Sequence, residues 1–126
     1  MSDTKEIPFD ETTVIQRLQA ELPHWRYENG WIRRKFRTSG WKATLMVVTT
    51  VGHLAEAAWH HPDMALSYAF VEVKLMTHSA KGITEKDFCL AKKIEDVIQW
   101  NPAESSNGIL CGTPDDPRFK YIKHDG

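Results

Sequence analysis

The tripeptide His60-His61-Pro62 is the feature that most constrains how this chain can fold. Proline disfavours the helical region for the residue before it, so a helix that arrives through the preceding alanines should end at about His61. Imidazoles at a helix end are free to face a cleft rather than a packed core. A third histidine, His78, ends an apolar run that is typical of a strand. The sequence therefore predicts an acid–base site where these two elements end.

Length and charge set the class of protein. A chain of 126 residues with 41% apolar and 26% charged residues is predicted to form one globular domain. The net charge of -1 gives no electrostatic basis for binding nucleic acid or an anionic membrane. Three features favour a cytoplasmic protein with reduced thiols. The chain starts with polar residues, it lacks an apolar run of about 20 residues, and its two cysteines, Cys89 and Cys111, are isolated from each other.

Local patterns predict a helix and then a hairpin near the start of the chain. Apolar residues recur at helical spacing over residues 10–22, with Asp10 or Thr12 available as the N-cap. Asn29-Gly30 is a strong two-residue turn signal between two strand-like segments, which predicts a hairpin over residues 25–37.

The second strand of that hairpin carries a basic run, residues 33–37. Such a run suggests phosphate binding, but the rest of the chain is not basic. We therefore interpret it as a solvated strand face, with Ile32 and Phe36 pointing inward.

A long helix is predicted over residues 40–60, with Ser39 available as its N-cap. Its apolar surface is wider than one stripe, and so wider than contact with a single sheet requires. The residues that widen it are Trp41, Leu45, Met46, Val47, Val48, Val51, Leu54 and Ala55. We therefore expect the second apolar face to meet another subunit of a homo-oligomer.

The next part of the chain is predicted to hold one strand and one helix. Residues 68–75 alternate between apolar and polar side chains, which indicates a half-buried strand. After a loop, Thr84 and Asp87 resemble a capping box that opens the last helix. The core face of that helix is predicted at Phe88, Leu90, Ala91, Ile94, Val97 and Ile98.

Composition divides the chain into three segments. Residues 1–9 are predicted to be a flexible N-terminal lead-in, residues 10–99 the folded domain, and residues 100–126 a C-terminal extension. The extension has many turn residues and few periodic apolar positions, so we expect an extended arm that lies on the domain or on a neighbour. Its expected anchors are Ile109, Leu110, Phe119, Tyr121 and Ile122.

Histidines suit proton transfer because their unperturbed pKa, about 6.5, lies near neutral pH. Glu56 and His60 are four residues apart, so on a helix they share a face and can form a hydrogen bond. His61 would point about 100° away around that helix, and His78 could supply a second acid or base across a bound molecule. Adjacent histidines are poorly placed to chelate one ion, which disfavours a metal site. A purely structural role for the histidines stays open.

The spacing of these residues resembles the signature of the pterin-4a-carbinolamine dehydratase family. The fixed positions of that signature fall on Glu56, His60, His61, Pro62, Tyr68, His78 and Asp87, with every gap met. The surrounding pattern agrees over about residues 10–99, for example at Thr77-His78 and Leu90-Ala91. Paired histidines alone would be weak support, whereas a full set of spaced positions on a matching scaffold is strong.

The resemblance implies an α+β fold, with a four-stranded antiparallel sheet and three helices packed on one face. It also implies a hydro-lyase that converts 4a-hydroxytetrahydropterin to quinonoid dihydropterin by histidine acid–base catalysis, in tetrahydropterin recycling. No cofactor and no metal are implied, because a carbinolamine already has the lone-pair push of its nitrogen. The implied partners are a pterin and further copies of the chain, as a homodimer or homotetramer; the C-terminal arm could add a protein partner.

By the same resemblance, His60 and His78 would be the acid–base pair, and His61 would complete the catalytic set by binding and orienting the pterin. The expected substrate-binding residues are Glu56, Pro62, Thr77 and Asp87. Asp87 has a competing role, since at the third position of a capping box it could be purely structural.

A binding or assembly protein on the same scaffold is the alternative function. Some relatives of this fold resemble non-enzymatic assembly factors for RuBisCO, and others accompany molybdopterin enzymes. In this alternative, the extension over residues 100–126 and the long helix would form the partner surface. The bulky Trp59 before the histidine pair departs from the family pattern. In the RuBisCO-linked relatives the histidine set is altered, whereas here it is intact, which favours the enzyme.

Overall fold

The computed structural model describes residues 6–124, so residues 1–5 of the predicted lead-in lie outside the described residues. The elements follow in the order α1 (Glu11–Glu21), β1 (Arg26–Glu28), β2 (Trp31–Arg37), α2 (Trp41–Ala58), β3 (Asp63–Ser67), β4 (Phe70–Leu75), α3 (Glu85–Ile98) and α4 (Pro102–Ser105). A single 3₁₀ turn, His78–Ala80, lies between β4 and α3. In the described part of the chain, no helix has the length and apolar character that a membrane span requires.

The four strands form one antiparallel sheet in the order β1-β2-β4-β3. As predicted, Asn29-Gly30 joins β1 and β2, with both residues at positive φ. The four-stranded sheet that the resemblance implies is therefore confirmed. The local pattern does not predict β3, because this edge strand is mostly exposed and lacks alternation between apolar and polar residues.

Three helices pack on one face of the sheet. Alternate residues of β2 and β4 point to that side, and Ile32, Phe36 and Val73 among them are each 0% exposed. The helices add Val14, Leu18, Val47, Val51, Phe88, Ala91 and Ile94 to the same apolar cluster. The α+β architecture that the resemblance implies is confirmed.

The basic run is only partly solvated, because Arg34 lies on the inner face beside Ile32 and Phe36. Every second residue of β2 points inward, so the interpretation of the whole run as a solvated face is wrong at this residue. The Arg34 guanidinium donates two hydrogen bonds to Glu95 of α3, at 2.8 and 2.9 Å. Trp25 Nε1 donates to the same carboxylate at 2.8 Å. This ion pair, buried on the side of Arg34, ties α3 to the sheet.

Helix α2 ends earlier than the proline rule predicts. It stops at Ala58, and Trp59 takes the left-handed conformation, with φ 54° and ψ 45°. The His60 N–H donates to the Ala55 carbonyl at 3.1 Å and the Trp59 N–H to the Glu56 carbonyl at 3.2 Å, which is the bond pair of a Schellman motif. The prediction of a helix through residue 60 is therefore wrong, because this motif closes the helix before the proline is reached.

The start and the faces of α2 bear on the prediction of a second subunit. Its N-cap is Gly40 rather than the expected Ser39. One face is buried in the core, at Ala43, Thr44, Val47, Val51 and Ala55. On another face, Trp41, Leu45 and Met46 are 48%, 41% and 53% exposed. The single chain thus leaves a second apolar face of α2 open.

Backbone pairing at the end of β2 holds the C-terminal extension. The Ser39 N–H donates to the Tyr121 carbonyl at 3.0 Å, and the Lys123 N–H donates to the Arg37 carbonyl at 3.1 Å. Ile122 lies between these bonds, in a β-bridge, and packs against the core. The other expected anchors stay 39% to 84% exposed, namely Ile109, Leu110, Phe119 and Tyr121. These four residues therefore do not anchor the segment to its own domain, and their contact with a neighbour stays a prediction.

Removal of the Glu95 carboxylate is expected to destabilise the fold strongly. Glu95→Ala takes this partner from the buried Arg34 and from the Trp25 indole, and an uncompensated buried charge costs about 3 kcal/mol or more. Urea unfolding followed by circular dichroism measures the loss. The double variant Arg34→Met, Glu95→Leu should recover most of it; equal instability of the single and double variants would contradict the role of the ion pair.

Acid should weaken the contact between α1 and α3. Arg17 forms ion pairs with Glu21 at 2.6 Å and with Glu85 at 2.8 Å. Its hydrogen bond lowers the pKa of Glu21 from 4.5 to about 2 and also lowers the pKa of Glu85. Because both pKa values are lower in the folded state, the stabilisation is complete above the unfolded values and is lost as the pH falls toward 2. The thermal midpoint should drop over that range, and it should drop less in Arg17→Gln; an identical drop would refute this cause.

Candidate active site

The early end of α2 places Trp59, His60 and His61 on an irregular segment that leads into β3. The His60 side chain turns inward and is 15% exposed, whereas the His61 side chain is 51% exposed. The two adjacent imidazoles therefore take different partners.

His60 is bound to the carboxylate of Asp87. Its Nε2 lies 2.7 Å from Asp87 Oδ1, and the Asp87 side chain is 0% exposed. A carboxylate only accepts hydrogen bonds, so this contact assigns a proton to Nε2 and leaves Nδ1 as the ring nitrogen available to a ligand. The carboxylate also fixes the orientation of the ring.

The second oxygen of Asp87 organises two threonines. Oδ2 accepts from the Thr77 hydroxyl at 2.7 Å and from the Thr84 backbone N–H at 2.9 Å. Because the Thr77 proton is used on Asp87, Thr84 must donate in the 2.8 Å contact between the two hydroxyls. Thr84 and Asp87 also form the predicted capping box of α3. Asp87 is therefore both a helix cap and the partner of His60.

Glu56 contacts His61 and not His60. Its Oε1 lies 2.8 Å from His61 Nε2, and both side chains are largely exposed. The predicted pairing of Glu56 with His60 is therefore wrong, because it assumes an unbroken helix through residue 60. The left-handed Trp59 redirects the chain, and its indole meets the His61 ring edge-on, with 5.0 Å between the ring centroids.

His78 begins the 3₁₀ turn after β4 and is exposed. Its ring makes an edge-to-face contact with the Trp31 indole, with 5.6 Å between the ring centroids. Lys74 Nζ lies 4.5 Å from the centre of the same indole. Trp31 therefore limits the rotation of His78 from the side of the sheet.

The three predicted histidines meet around one cavity of about 290 Å³, which we call the histidine cavity. Its lining consists of Trp59, His60, His61, Met76, Thr77, His78, Ser79 and Lys86. Three predicted site residues, Glu56, Pro62 and Asp87, are not part of this lining. The structure thus brings the histidines and Thr77 together, and it places Glu56 and Asp87 as partners of two of the histidines.

Sequence reasoning does not assign Met76, Ser79 and Lys86 to the site. Met76 and Ser79 flank the Thr77-His78 pair, and Lys86 directly precedes Asp87, so adjacency to the signature is the signal that could have found them. Lys86 brings a cation to the cavity.

The arrangement can donate and accept protons at more than one point of a small ligand, since three imidazoles with separate partners line one cavity. Among residues 6–124, no group of three histidine, cysteine or acidic side chains is placed to hold a metal ion.

Comparison with known proteins identifies relatives of this chain. The sequence model of the family described as pterin 4 alpha carbinolamine dehydratase matches residues 7–97, which include every site residue named above. A predicted pterin-4-alpha-carbinolamine dehydratase of Aquifex aeolicus is 44% identical over 85 residues, which cover 68% of this chain and 86% of that protein. Another from Chloroflexus aggregans is 46% identical over 89 residues, which cover 70% of this chain and 94% of that protein.

A solved structure agrees with these sequence relatives. The crystal structure of a transcriptional coactivator/pterin dehydratase from Brucella melitensis matches with a TM-score of 0.65 and 27% sequence identity, over 71% of this chain and 97% of that chain. The sequence relatives are likewise matched over most of their length. The chain therefore belongs to the pterin 4 alpha carbinolamine dehydratase family.

Proposed function

We propose that this protein is a hydro-lyase that removes water from a 4a-hydroxytetrahydropterin, as an enzyme of tetrahydropterin recycling. The observation that carries the proposal is the meeting of His60, His61 and His78 around one small cavity, with His60 backed by a buried carboxylate. Family membership supports it, as do the relatives named for this activity.

The reaction needs two proton transfers and no oxidant. The hydroxyl on C4a gains a proton and leaves as water, which breaks the C4a–O bond. The proton on N5 is lost, and the electron pair forms the C4a=N5 double bond of the quinonoid dihydropterin. An acid near the leaving oxygen and a base near N5 therefore suffice, and positioned proton transfer contributes about 10²–10⁴-fold.

His60 and His78 are the proposed acid–base pair. Asp87 is a positioning residue, because its Oδ1 holds His60 Nε2 while Thr77 holds its other oxygen. The Nδ1 atom of His60 is then left to exchange a proton with the pterin. His78, whose ring is packed against Trp31, supplies the second group.

His61 is proposed to bind and orient the pterin ring. It lines the histidine cavity, and Glu56 and Trp59 fix its imidazole. We assign Glu56 to positioning His61 rather than to direct contact with the substrate. Thr77, predicted to bind the substrate, is buried with its hydroxyl bound to Asp87 and Thr84, so we assign it to holding Asp87. Pro62 directs the chain from the histidines into β3.

The open face of α2 supports a homo-oligomer, either a dimer or a tetramer. Trp41 and Met46 expose about half of their surface there, and a second copy would remove that apolar surface from water. Exposed free thiols at Cys89 and Cys111 support a reducing compartment, the cytoplasm. The C-terminal extension lies outside the matched residues 7–97, and we propose it as the contact for a protein partner.

Replacement of either proposed proton-transfer residue should remove most of the turnover. We expect His60→Ala and His78→Ala each to lower kcat at least about 10²-fold, the range for a lost general acid or base. Freshly generated 4a-hydroxytetrahydropterin is the substrate, and the absorbance of the quinonoid product follows the reaction.

His24→Ala is the matched control, because His24 is exposed in the turn before β1 and is not part of the cavity lining. This variant should turn over like the unchanged protein. If the folded, unchanged protein gives no acceleration, the dehydratase proposal fails. If His24→Ala loses as much activity as the other two variants, the effect is not local to the site.

Asp87→Asn separates the positioning role from helix capping. Its amide oxygen can still accept from the Thr84 N–H, but His60 loses its carboxylate partner. We expect kcat to fall about 10–100-fold while KM changes by less than about twofold. As a control, Asp10→Ala removes the N-cap of α1 and should cost about 1 kcal/mol of stability at unchanged kcat. Lower stability of Asp87→Asn at normal kcat would mean that Asp87 is only a cap.

A further inference from the structure

A second cavity adjoins the histidine cavity between the end of α2 and α3. It has a volume of about 620 Å³, and both cavities are lined by Trp59, His60 and Lys86. The rest of its lining is Leu54, Ala57, Ala58, Cys89, Leu90 and Lys93. We call this second cavity the α2–α3 groove. A ligand in the histidine cavity has this groove as its neighbouring space.

The groove is apolar with basic groups at its border. Leu54 and Leu90 supply aliphatic surface, and Trp59, which is 75% exposed, supplies an aromatic one. Two lysines, Lys86 and Lys93, belong to the lining, and none of the lining residues is a carboxylate. Such a surface fits a ligand segment that is apolar along its length and anionic at its end.

The two lysines differ in what they already bind. Lys86 forms an ion pair with Glu6 at 2.7 Å. The neighbour of Lys93 along α3, Lys92, pairs with Glu21. Lys93 itself has no ion-pair partner among residues 6–124. Lys93 is therefore the charge in the groove that a ligand can match.

Size separates the roles of the two cavities. The histidine cavity, at about 290 Å³, lies at the lower limit of ligand sites, which span roughly 300–1,000 Å³. It suits the bicyclic ring of a pterin, so a long substituent at C6 of that ring must extend out of it. The adjoining groove, at about 620 Å³, offers the space for that substituent.

We propose that the α2–α3 groove binds the C6 substituent of the pterin and favours one with an aromatic or aliphatic segment that ends in a carboxylate or a phosphate. Lys93 binds the terminal anion, and Trp59 and Leu90 contact the apolar segment. The inference rests on the proposed function, because it names the substrate class of the same site. It concerns which carbinolamine is preferred and not how the histidines dehydrate it.

Steady-state kinetics with four carbinolamines test the inference. They derive from 6-methyltetrahydropterin, from tetrahydropteroate, from the methyl ester of tetrahydropteroate, and from the phosphate ester of 6-hydroxymethyltetrahydropterin. We expect kcat/KM to rise from the methyl pterin to the uncharged ester through apolar contact. For tetrahydropteroate, the free acid, kcat/KM should rise about threefold to fivefold further, which is within the range for one exposed ion pair. The phosphate ester carries an anion without the aromatic segment, so it shows what charge contributes in the absence of apolar contact.

Lys93→Gln isolates the contribution of charge. The ratio of kcat/KM for tetrahydropteroate to that for its methyl ester should fall toward one in this variant, by about threefold to fivefold. Lys92→Gln is the matched control, because Lys92 pairs with Glu21 and is not part of the groove. Its ratio should equal that of the unchanged protein.

The possible outcomes separate this inference from the proposed function. Two results would overturn the proposal that the groove binds the C6 substituent, while the dehydratase function stands. One is an equal kcat/KM for all four substrates, and the other is the same acid-to-ester ratio in Lys93→Gln and in the unchanged protein. Absence of turnover with all four substrates would overturn the proposed function and the groove with it.

Discussion

The buried carboxylate of Asp87 is the interaction on which the arrangement of the site depends. It accepts from the His60 ring, from the Thr77 hydroxyl and from the Thr84 backbone N–H. These groups belong to the segment after α2, the segment after β4 and the start of α3. A buried carboxylate without partners is costly, so its hydrogen bonds stabilise the fold most when all three are present. The hydrogen bonds of Asp87 that hold these elements together therefore also position the residues of the site.

A second carboxylate, that of the partly buried Glu95, fixes α3 farther along the helix. Glu95 accepts from Arg34 on the inner face of the sheet and from the Trp25 indole, two turns beyond Asp87. Two attachments of this kind set the rotation of α3 about its axis as well as its distance from the sheet. That rotation decides which residues of α3 border the α2–α3 groove, among them Lys93. The hydrogen bonds of Asp87 and Glu95 therefore help to determine the shape of the groove, which Asp87 reaches through His60.

Sequence reasoning succeeds where chemistry within a few residues decides the structure. The Asn29-Gly30 turn and the capping box with Asp87 are of this kind, and both are found as predicted. The end of α2 is not, because a Schellman motif usually places glycine at the position that Trp59 holds, so the sequence carries no stop signal there. Strand alternation places Arg34 on the inner face, but its partner Glu95 lies 61 residues away along the chain and could not be predicted. The sequence therefore predicts that the three histidines and Thr77 lie together, but it predicts neither the rest of the lining nor which imidazole meets which carboxylate.

At Trp59, the stability of the helix end conflicts with the need for a side chain that lines both cavities. A left-handed conformation costs a residue with a β-carbon roughly 1–2 kcal/mol, which glycine would avoid. Glycine here would thus give a more stable helix end, but it would remove the indole that borders both cavities and packs on His61. Stability gained by this substitution would therefore remove the aromatic part of the lining that the two cavities share. A version of this protein adapted to higher temperature should find its extra stability elsewhere in the chain.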